Sequence, residues 1–317
     1  MSGFRSVFAE HLAGYIALRR KLGLRFDRQA EMLQAFDRFA HEHDHQGPLV
    51  EQLARSFAMA VADATTTIPS RRYLVVRQFA EYLATFDPST PRLDPKALFR
   101  LQSQPPPYIF TEEDLVRLLE QATEFRQRHP VSNLAFHAML GLGASCGLRL
   151  REVLALDVSD VDFEARILAI RRTKLDKDRL VPVHATTLDV LHCYAAVREQ
   201  IPGAAAEAAF FLTSRGRRFQ PYTVEYLLRK LVRRLDLRSP RGIPPTFYSL
   251  RHTFAVRRLV AWYRAGANVQ GCLPALATYM GHVHYTSTSY YLTATAELLG
   301  LAADRLGTVV GSRAVDE

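Results

Sequence analysis

Four separated segments carry side chains that could together act on a phosphodiester. They contribute two arginines, a lysine, a histidine and a tyrosine: Arg149, Lys174, Arg251, His282 and Tyr291. Arginine forks onto phosphate oxygens and stabilises the charge that develops as a hydroxyl attacks phosphorus. A lysine ammonium can protonate a departing oxygen, and a tyrosine hydroxyl can be the attacking nucleophile. These residue types therefore suit the displacement of a phosphodiester oxygen.

In isolation, each segment also has an ordinary structural interpretation. Arg149 follows Gly147 and could be a surface arginine beside the start of a helix. Lys174 lies in a polar turn, where a lysine is commonly just solvated. His252 could be a buried histidine satisfied by the backbone, and a tyrosine such as Tyr291 commonly packs in a core with its hydroxyl in water. Only the combination of segments favours chemistry.

The combination resembles the tyrosine recombinase (phage integrase) family, including its Xer-type members. Three family motifs have counterparts, which read Gly147-Leu-Arg-Leu-Arg-Glu152 for GLR(I/L)xE, Tyr248-Ser-Leu-Arg-His252 for HxLRH and Met280-Gly-His282 for LGH. A hairpin lysine precedes a Val-Pro pair as in the family, and Tyr291 follows His282 by nine residues. The motifs span residues 110–295, whereas residues 1–86 match the family's helical core-DNA-binding domain in size and helix count only.

The resemblance implies a role for each matching residue. Arg149 and Arg251, with His282 as a further donor, would stabilise the charged phosphorane. Lys174 would be the general acid for the leaving 5' oxygen. Tyr291 would form a 3'-phosphotyrosine bond, and this bond conserves the energy of the phosphodiester. The reaction is therefore expected to need no cofactor, metal ion or ATP.

One position departs from the family pattern, because Tyr248 stands where the family has the first His of HxLRH. A phenol with a pKa of about 10 is a poor base at neutral pH, but it can still donate a hydrogen bond to phosphate. Tyr248 is kept among the catalytic candidates for that reason. Deprotonation of Tyr291 is expected to depend on an arginine-rich pocket that lowers its pKa, or on proton transfer to the phosphate.

By this resemblance the chain is expected to be a site-specific recombinase or integrase that cleaves and rejoins DNA strands for a mobile element. A type IB topoisomerase-like activity and a non-catalytic DNA-binding protein on an integrase fold are the alternatives. The expected partners are double-stranded DNA, further copies of the chain in a dimer or tetramer assembled on DNA, and accessory recombination proteins. The expected location is the cytoplasm, at the nucleoid when DNA is bound.

The charge balance agrees with a polyanionic partner. The 317 residues include 41 Lys and Arg against 32 Asp and Glu, a net charge of +9, and residues 215–258 hold twelve basic residues and two acids. Such an excess is typical of nucleic-acid binding, although a solvated basic helix face explains it as well. The candidate DNA contacts are Arg71, Arg72, Arg77, Lys177, Arg217 and Arg218.

Composition also excludes some classes of protein. No apolar run approaches the roughly 18 residues of a membrane span, so no membrane partner is expected. The N-terminus carries Glu10 and His11 where a secretory signal would be apolar. The three cysteines are odd in number and far apart, which predicts reduced thiols, and no closely spaced Cys/His pair suggests a metal centre.

Hydrophobic spacing and prolines predict the domains. Residues 1–86 are expected to form a core-DNA-binding domain of four amphipathic helices, and the proline-rich residues 87–108 a linker. Residues 109–317 are expected to form an integrase-type catalytic domain. The predicted fold class is thus mainly α with a small β-hairpin or sheet (α+β), with an all-α N-terminal domain.

Local signals place the elements of the catalytic domain. Thr111 is expected to cap its first helix, and residues 132–148 to form a buried helix. Residues 167–170 and 180–183 are expected to pair as a β-hairpin. Residues 294–306 are predicted to be a tail helix that docks on a neighbouring subunit on DNA, with packing on its own chain as the alternative.

Overall fold

The computed structural model describes residues 3–24, 26–61, 68–98, 107–125, 130–171, 178–282, 288, 290–293 and 295–313. Packing divides the chain into two compact units, residues 1–105 and 106–317. Helices dominate both units and one small sheet lies in the second, which confirms the predicted fold class. Among the described residues, no helix is long and apolar enough to span a membrane.

The N-terminal unit is a bundle of four helices, α1 (Ala9–Lys21), α2 (Asp27–Glu42), α3 (Glu51–Met59) and α4 (Ile68–Leu83). Each helix buries one apolar face and leaves the other to solvent. Phe36, Phe57 and Phe79 are fully buried at the centre. The rings of Phe36 and Phe57 meet edge-on with centroids 5.3 Å apart, an arrangement that aromatic quadrupoles favour.

Residues 87–98, predicted as linker, pack against this bundle. Leu93 is 5% exposed within the bundle's core. The Tyr73 hydroxyl donates to the Asp94 carbonyl at 2.9 Å, and the Ser70 hydroxyl donates to the Leu98 carbonyl at 3.3 Å. Prolines interrupt the helix here, but the chain stays on the core because its apolar side chains still find partners. The functional division into core-binding and catalytic domains stays a prediction.

The C-terminal unit comprises helices α5 (Glu112–Glu124), α6 (Pro130–Cys146), α7 (Leu150–Ala155), α8 (Ala185–Arg198), α9 (Pro221–Arg234), α10 (Phe247–Arg264), α11 (Val269–Met280) and α12 (Ala296–Arg313). Helix α6 lies at its centre, in contact with α5, α8 and α10. Thr111 caps α5 as predicted, since its Oγ1 accepts a hydrogen bond from the Asp114 N–H at 3.0 Å.

An antiparallel sheet lies beside these helices, with strands β1 (Val161–Asp162), β2 (Ile167–Ile170) and β3 (Arg179–Pro182) in that order. Strands β2 and β3 form the predicted hairpin, with Ile170 opposite Arg179. Strand β1 was missed because two residues are too few to show an alternating pattern. Lys174 and Lys177, which were predicted to lie in the hairpin turn, fall outside the described residues.

The tail helix α12 packs on its own chain. Leu298 is fully buried in an apolar cluster with residues of α10 and α11. Glu297 forms an ion pair with Arg264 at 2.6 Å, and Arg305 donates to the Ala267 carbonyl at 2.5 Å. The single chain therefore has the alternative arrangement, and docking on a neighbouring subunit stays a prediction.

A buried carboxylate anchors the N-terminal segment to the bundle. Asp37 on α2 accepts hydrogen bonds from the Arg5 N–H at 2.8 Å and from both the N–H and the hydroxyl of Ser6, at 3.0 and 2.6 Å. Asp37→Ala should lower the free energy of unfolding of this unit by about 3 kcal/mol, because buried donors lose a charged acceptor. Urea unfolding followed by circular dichroism measures it.

Glu31 is exposed on the same helix and supplies the control. Glu31→Ala should change the free energy of unfolding by less than about 0.5 kcal/mol. Equal effects of the two substitutions would show that Asp37 does not anchor the segment.

Candidate active site

Arg149 lies in the tight turn between α6 and α7. Gly147 ends α6 with φ of +62°, and a Cβ added there would approach Phe254 to 2.5 Å, so the turn requires glycine. Arg149 follows at the N-cap of α7. Its guanidinium donates to Glu152 Oε1 at 2.6 Å and to the Gly281 carbonyl at 2.9 Å, yet the side chain keeps 36% of its surface exposed.

Glu152 is shared between two arginines. Its carboxylate accepts from the Arg149 N–H at 2.9 Å and from the Arg149 side chain. It also accepts hydrogen bonds from both terminal nitrogens of Arg179, at 3.1 and 2.9 Å. Burial raises the pKa of the Glu152 carboxyl, but the hydrogen bonds and charges of the two arginines outweigh burial and hold the pKa below its ordinary value. The group is therefore an ionised, buried carboxylate.

Arg251 on α10 is fully buried. Its two terminal nitrogens donate to the carbonyls of Gly147 at 2.5 Å and Met280 at 2.6 Å. Burial, followed by the charge of Arg149, lowers the pKa of Arg251 to about 10, which leaves the guanidinium charged at neutral pH. Two backbone turns from distant parts of the chain thus converge on this one cation.

His282 follows Gly281, the left-handed C-cap of α11. One of its ring nitrogens, Nδ1, lies 2.6 Å from the hydroxyl oxygen of the buried Thr288. Burial, together with the charges of Arg251 and other arginines, lowers the pKa of His282 to about 4. At neutral pH His282 is therefore an uncharged imidazole, held by Thr288 on one side.

Tyr291 lies in a short 3₁₀ turn (Tyr290–Thr293) and is 1% exposed. Its ring centroid is 5.3 Å from that of His252 and 6.2 Å from that of His282. Its hydroxyl interacts with the side chains of Tyr248 and Arg251. Burial raises the pKa of Tyr291 well above its ordinary value, and Arg251 offsets this only in part. The expected lowering of this pKa by an arginine-rich pocket is wrong for this arrangement, because burial outweighs the cation.

Tyr248 is half-exposed at the first turn of α10. Its ring meets that of His252 edge-on, with centroids 4.4 Å apart. Burial and the adjacent Arg251 lower the pKa of His252 to about 4. The residue that replaces the family's histidine therefore contacts both a neutral imidazole and the Tyr291 hydroxyl.

The residues predicted to contact DNA differ in exposure and in whether their charged groups are paired within the fold. Arg71 and Arg217 are exposed. Arg72 lies over the ring of Phe57 at 3.8 Å and donates to a backbone carbonyl. Two others are ion-paired within the fold, namely Arg77 with Glu81 and Arg218 with Asp157. The remaining candidate, Lys177, lies outside the described residues, as does Lys174.

The geometry adds groups for which sequence reasoning named no role. The sequence does indicate a role for Glu152, because the carboxylate of an acid three residues after the N-cap can accept a hydrogen bond from the N-cap N–H. It also indicates one for Arg179, since a charged residue at the end of a short apolar strand requires a partner. No sequence pattern indicates Thr288, because its contact with His282 depends on how the chain between the two residues folds.

The two neutral histidines predict how stability depends on pH. Both have a folded-state pKa of about 4 against an ordinary 6.5. Between these values the unfolded chain binds protons that the folded chain does not, so the free energy of unfolding should fall as pH decreases from about 6.5 to about 4. His252→Asn should reduce this pH dependence in urea titrations at pH 7 and pH 5. His41→Asn, at an exposed site on α2, should leave it unchanged.

An equal pH dependence in wild type and His252→Asn would count against a buried neutral His252.

The sequence matches known proteins along most of its length. The phage integrase family model matches residues 109–297. A Sinorhizobium fredii protein named as an integrase/recombinase (y4rE) is 38% identical over 305 residues, which cover 96% of this chain and 97% of the relative.

Solved structures share the fold. The site-specific recombinase XerH bound to palindromic difH substrate has a TM-score of 0.66 at 16% identity, covering 87% of this chain and 78% of XerH. The Tn1549 transposon integrase with circular intermediate DNA has a TM-score of 0.64 at 19% identity, covering 94% and 98%. At these identities the structures show the fold alone. The family match and the extended similarity to the Sinorhizobium protein establish that the chain belongs to the phage integrase family.

Proposed function

We propose that this chain is a site-specific DNA recombinase that cleaves and rejoins DNA strands through a 3'-phosphotyrosine on Tyr291. The observation that carries the proposal is the meeting of Tyr291, Arg251 and His282 in one cluster, with Arg149 bonded to the carbonyl of the neighbouring Gly281. A phenol among arginines and a neutral imidazole is a set suited to phosphoryl transfer. Family membership supports the same activity.

The chemistry is a pair of transesterifications. The Tyr291 oxygen bonds to phosphorus and its proton passes to a phosphoryl oxygen, while the bond from phosphorus to the 5' oxygen breaks. Lys174 is the proposed donor of the proton that the 5' oxygen takes up, and the proton on the phosphoryl oxygen then restores the charge of Lys174. Arg149 and Arg251 stabilise the charge on the phosphoryl oxygens, and neutral His282 donates a further hydrogen bond. A 5' hydroxyl of a second strand then attacks the phosphotyrosine and releases Tyr291. Tyr248 is proposed to orient the phenol.

The site must open before it can act. Arg251 is fully buried and spends its terminal nitrogens on two carbonyls, and Tyr291 is 1% exposed beside it. Tyr291 contacts this guanidinium, so we propose that the turn that carries Tyr291 moves when a phosphate binds Arg251. Arg149, with about a third of its surface exposed, is the arginine that a phosphate meets first.

Helix α9 offers the DNA a rigid basic face. Its apolar side, including Leu227 and Leu231, is buried in the core of the unit. Its exposed side carries aromatic and basic residues, namely Tyr222, Tyr226, Arg229, Lys230, Arg233 and Arg234. Such a face can neutralise phosphates along a groove. We assign it, with exposed Arg217 and Arg71, to DNA contact.

Assembly on DNA is part of the proposal. The XerH neighbour is bound to a palindromic substrate, and a palindrome presents two equivalent half-sites that two copies of one chain can occupy. We therefore propose a dimer, and a tetramer when two sites pair, with accessory recombination proteins as further partners. We further propose that the chain serves a mobile element, as the name of the transposon integrase with the same fold suggests, and that it acts in the cytoplasm.

Two alternatives remain distinguishable by experiment. A topoisomerase-like enzyme would relax supercoiled DNA without joining two duplexes, and a non-catalytic binder would form no covalent adduct. The clustered candidate residues favour an enzyme over a non-catalytic binder, and the name of the Sinorhizobium relative favours recombination over a topoisomerase-like activity. Incubation with nicked duplexes that tile the DNA flanking the gene, followed by a test for joined products from two duplexes, separates the three activities.

Tyr291→Phe should bind the duplex that wild type cleaves within about threefold of wild-type affinity, but it should form no covalent adduct, because only the nucleophilic oxygen is lost. Tyr290→Phe is the matched control and should still cleave. Denaturing gels detect the adduct, and peptide mass spectrometry locates it. An adduct on Tyr290 would overturn the assignment of the nucleophile.

Arg229→Ala combined with Arg233→Ala should weaken DNA binding and reduce the magnitude of the slope of log affinity against log salt concentration by about 2. Each arginine that no longer contacts a phosphate lowers the number of counterions released on binding by about one. Arg117→Ala, which removes an exposed arginine from α5, should leave the slope unchanged. Fluorescence anisotropy from low to moderate salt measures both. A slope equal to that of wild type would remove α9 from the DNA interface.

A further inference from the structure

Arg179 joins three parts of the catalytic domain that are distant in sequence. It begins strand β3 and its side chain is 10% exposed. Its two terminal nitrogens fork onto the Glu152 carboxylate on α7, and its Nε donates to the Tyr279 carbonyl near the end of α11 at 2.9 Å. All three nitrogens of the guanidinium are therefore committed to fixed partners.

The same contacts form a closed loop around Arg149. Glu152 is held by Arg179 on one side and accepts the N–H and the guanidinium of Arg149 on the other. Arg149 in turn donates to the Gly281 carbonyl. Because the loop closes through buried, charge-assisted bonds, a change at Arg179 is transmitted to the orientation of Arg149.

Arg179 also packs against the backbone that leads to His282. Gly281 has φ of +65°, and a Cβ added to it would lie 2.7 Å from a terminal nitrogen of Arg179. The guanidinium thus occupies the space beside the Gly281 backbone, while the Tyr279 carbonyl holds it from the preceding turn. The direction in which the chain leaves Gly281 depends on this contact, and His282 is the next residue.

Charge gives Arg179 a second effect. The buried Glu152 carboxylate is ionised, and Arg179 supplies one positive charge that balances it. With Arg179 in place, two guanidinium charges face one carboxylate charge, so the three groups keep one net positive charge for a phosphate. Without Arg179, the carboxylate has Arg149 as its remaining ion-pair partner among the described residues, and it competes with the phosphate for that guanidinium.

We propose that Arg179 is a positioning residue for strand cleavage: it holds Glu152, so that Arg149 is aimed at the scissile phosphate while the two arginines and the carboxylate keep a net positive charge, and it fixes the backbone before His282. Arg179 is assigned to Glu152 and the Tyr279 carbonyl and not to the phosphate. The inference rests on the proposed recombinase activity. It assigns to β3 a function beyond carrying the lysine turn.

The test uses the full chain and nicked duplexes tiled over the DNA flanking the gene, from which the cleaved duplex is selected. Arg179→Gln should lower the single-turnover rate of covalent adduct formation by about 100-fold, with DNA affinity changed by less than about threefold, because positioning affects the transition state rather than the bound state. Arg179→Lys keeps the charge and loses the fork, so its rate should fall between those of Arg179→Gln and wild type.

A double substitution isolates the charge effect. In Arg179→Gln the Glu152 carboxylate stays buried and draws on Arg149, whereas Glu152→Gln in the same chain removes that negative charge. The double variant should therefore form adduct faster than Arg179→Gln alone. A neutral methylphosphonate at the scissile position demands less positive charge, so the defect of Arg179→Gln should be smaller on that substrate than on phosphate.

Arg198 provides the control for a purely structural arginine. It is 7% exposed and donates to the carbonyls of Ala204, Glu207, Ala209 and Phe210, which support a loop and belong to no candidate site. Arg198→Gln should lower the urea midpoint without changing the adduct rate of the folded protein.

The outcomes separate three failures. If wild type and Arg198→Gln form no adduct on any duplex, the assignment of recombinase activity to this chain is overturned. If both cleave and folded Arg179→Gln cleaves at the wild-type rate, the positioning role of Arg179 is overturned. If Arg179→Gln loses the same factor on phosphate and methylphosphonate, the charge effect of Arg179 is overturned.

Discussion

The geometry of the candidate site depends on one buried carboxylate, that of Glu152. It joins the turn after α6, the start of β3 and the end of α11, because Arg149 and Arg179 each bond both to it and to backbone carbonyls near Gly281. Burying a carboxylate is costly unless its charge is matched and its lone pairs are filled. Here that requirement forces distant segments together, so the polar centre, rather than apolar packing alone, sets where the cations lie.

Local sequence patterns predicted the residues and secondary structure of this site better than the side-chain contacts that join them. Motif spacing brought out Arg251 and His282, and alternation predicted the hairpin of β2 and β3. The bond from Arg179 to Glu152 spans 27 positions, and no local pattern encodes which acid a strand-end arginine will reach. The same holds for Leu93, because proline content predicts where a helix breaks but not whether the next side chain is buried. The direction of the Tyr291 pKa also required the fold, since burial opposes the nearby cation.

Replacement of the family histidine by Tyr248 changes which groups carry charge. The imidazoles near Tyr291 belong to His252 and His282, and both have a pKa of about 4. Neither adds a proton near neutral pH, so the positive charge of the described site comes from its arginines. That charge is constant over the range in which histidines ordinarily titrate. The charge around Tyr291 is therefore the same in neutral and mildly acidic solutions.

The packing of α12 is connected with the packing of Tyr291. Tyr291 and Leu298 are both buried in one apolar cluster against α10, and only a few residues of chain separate them. Pulling Leu298 out of this cluster exposes apolar surface at a cost of about 2 kcal/mol and loosens the packing around Tyr291. While α12 packs on its own chain, the Tyr291 ring stays buried, so the position of the tail helix and the exposure of this phenol are linked through one cluster.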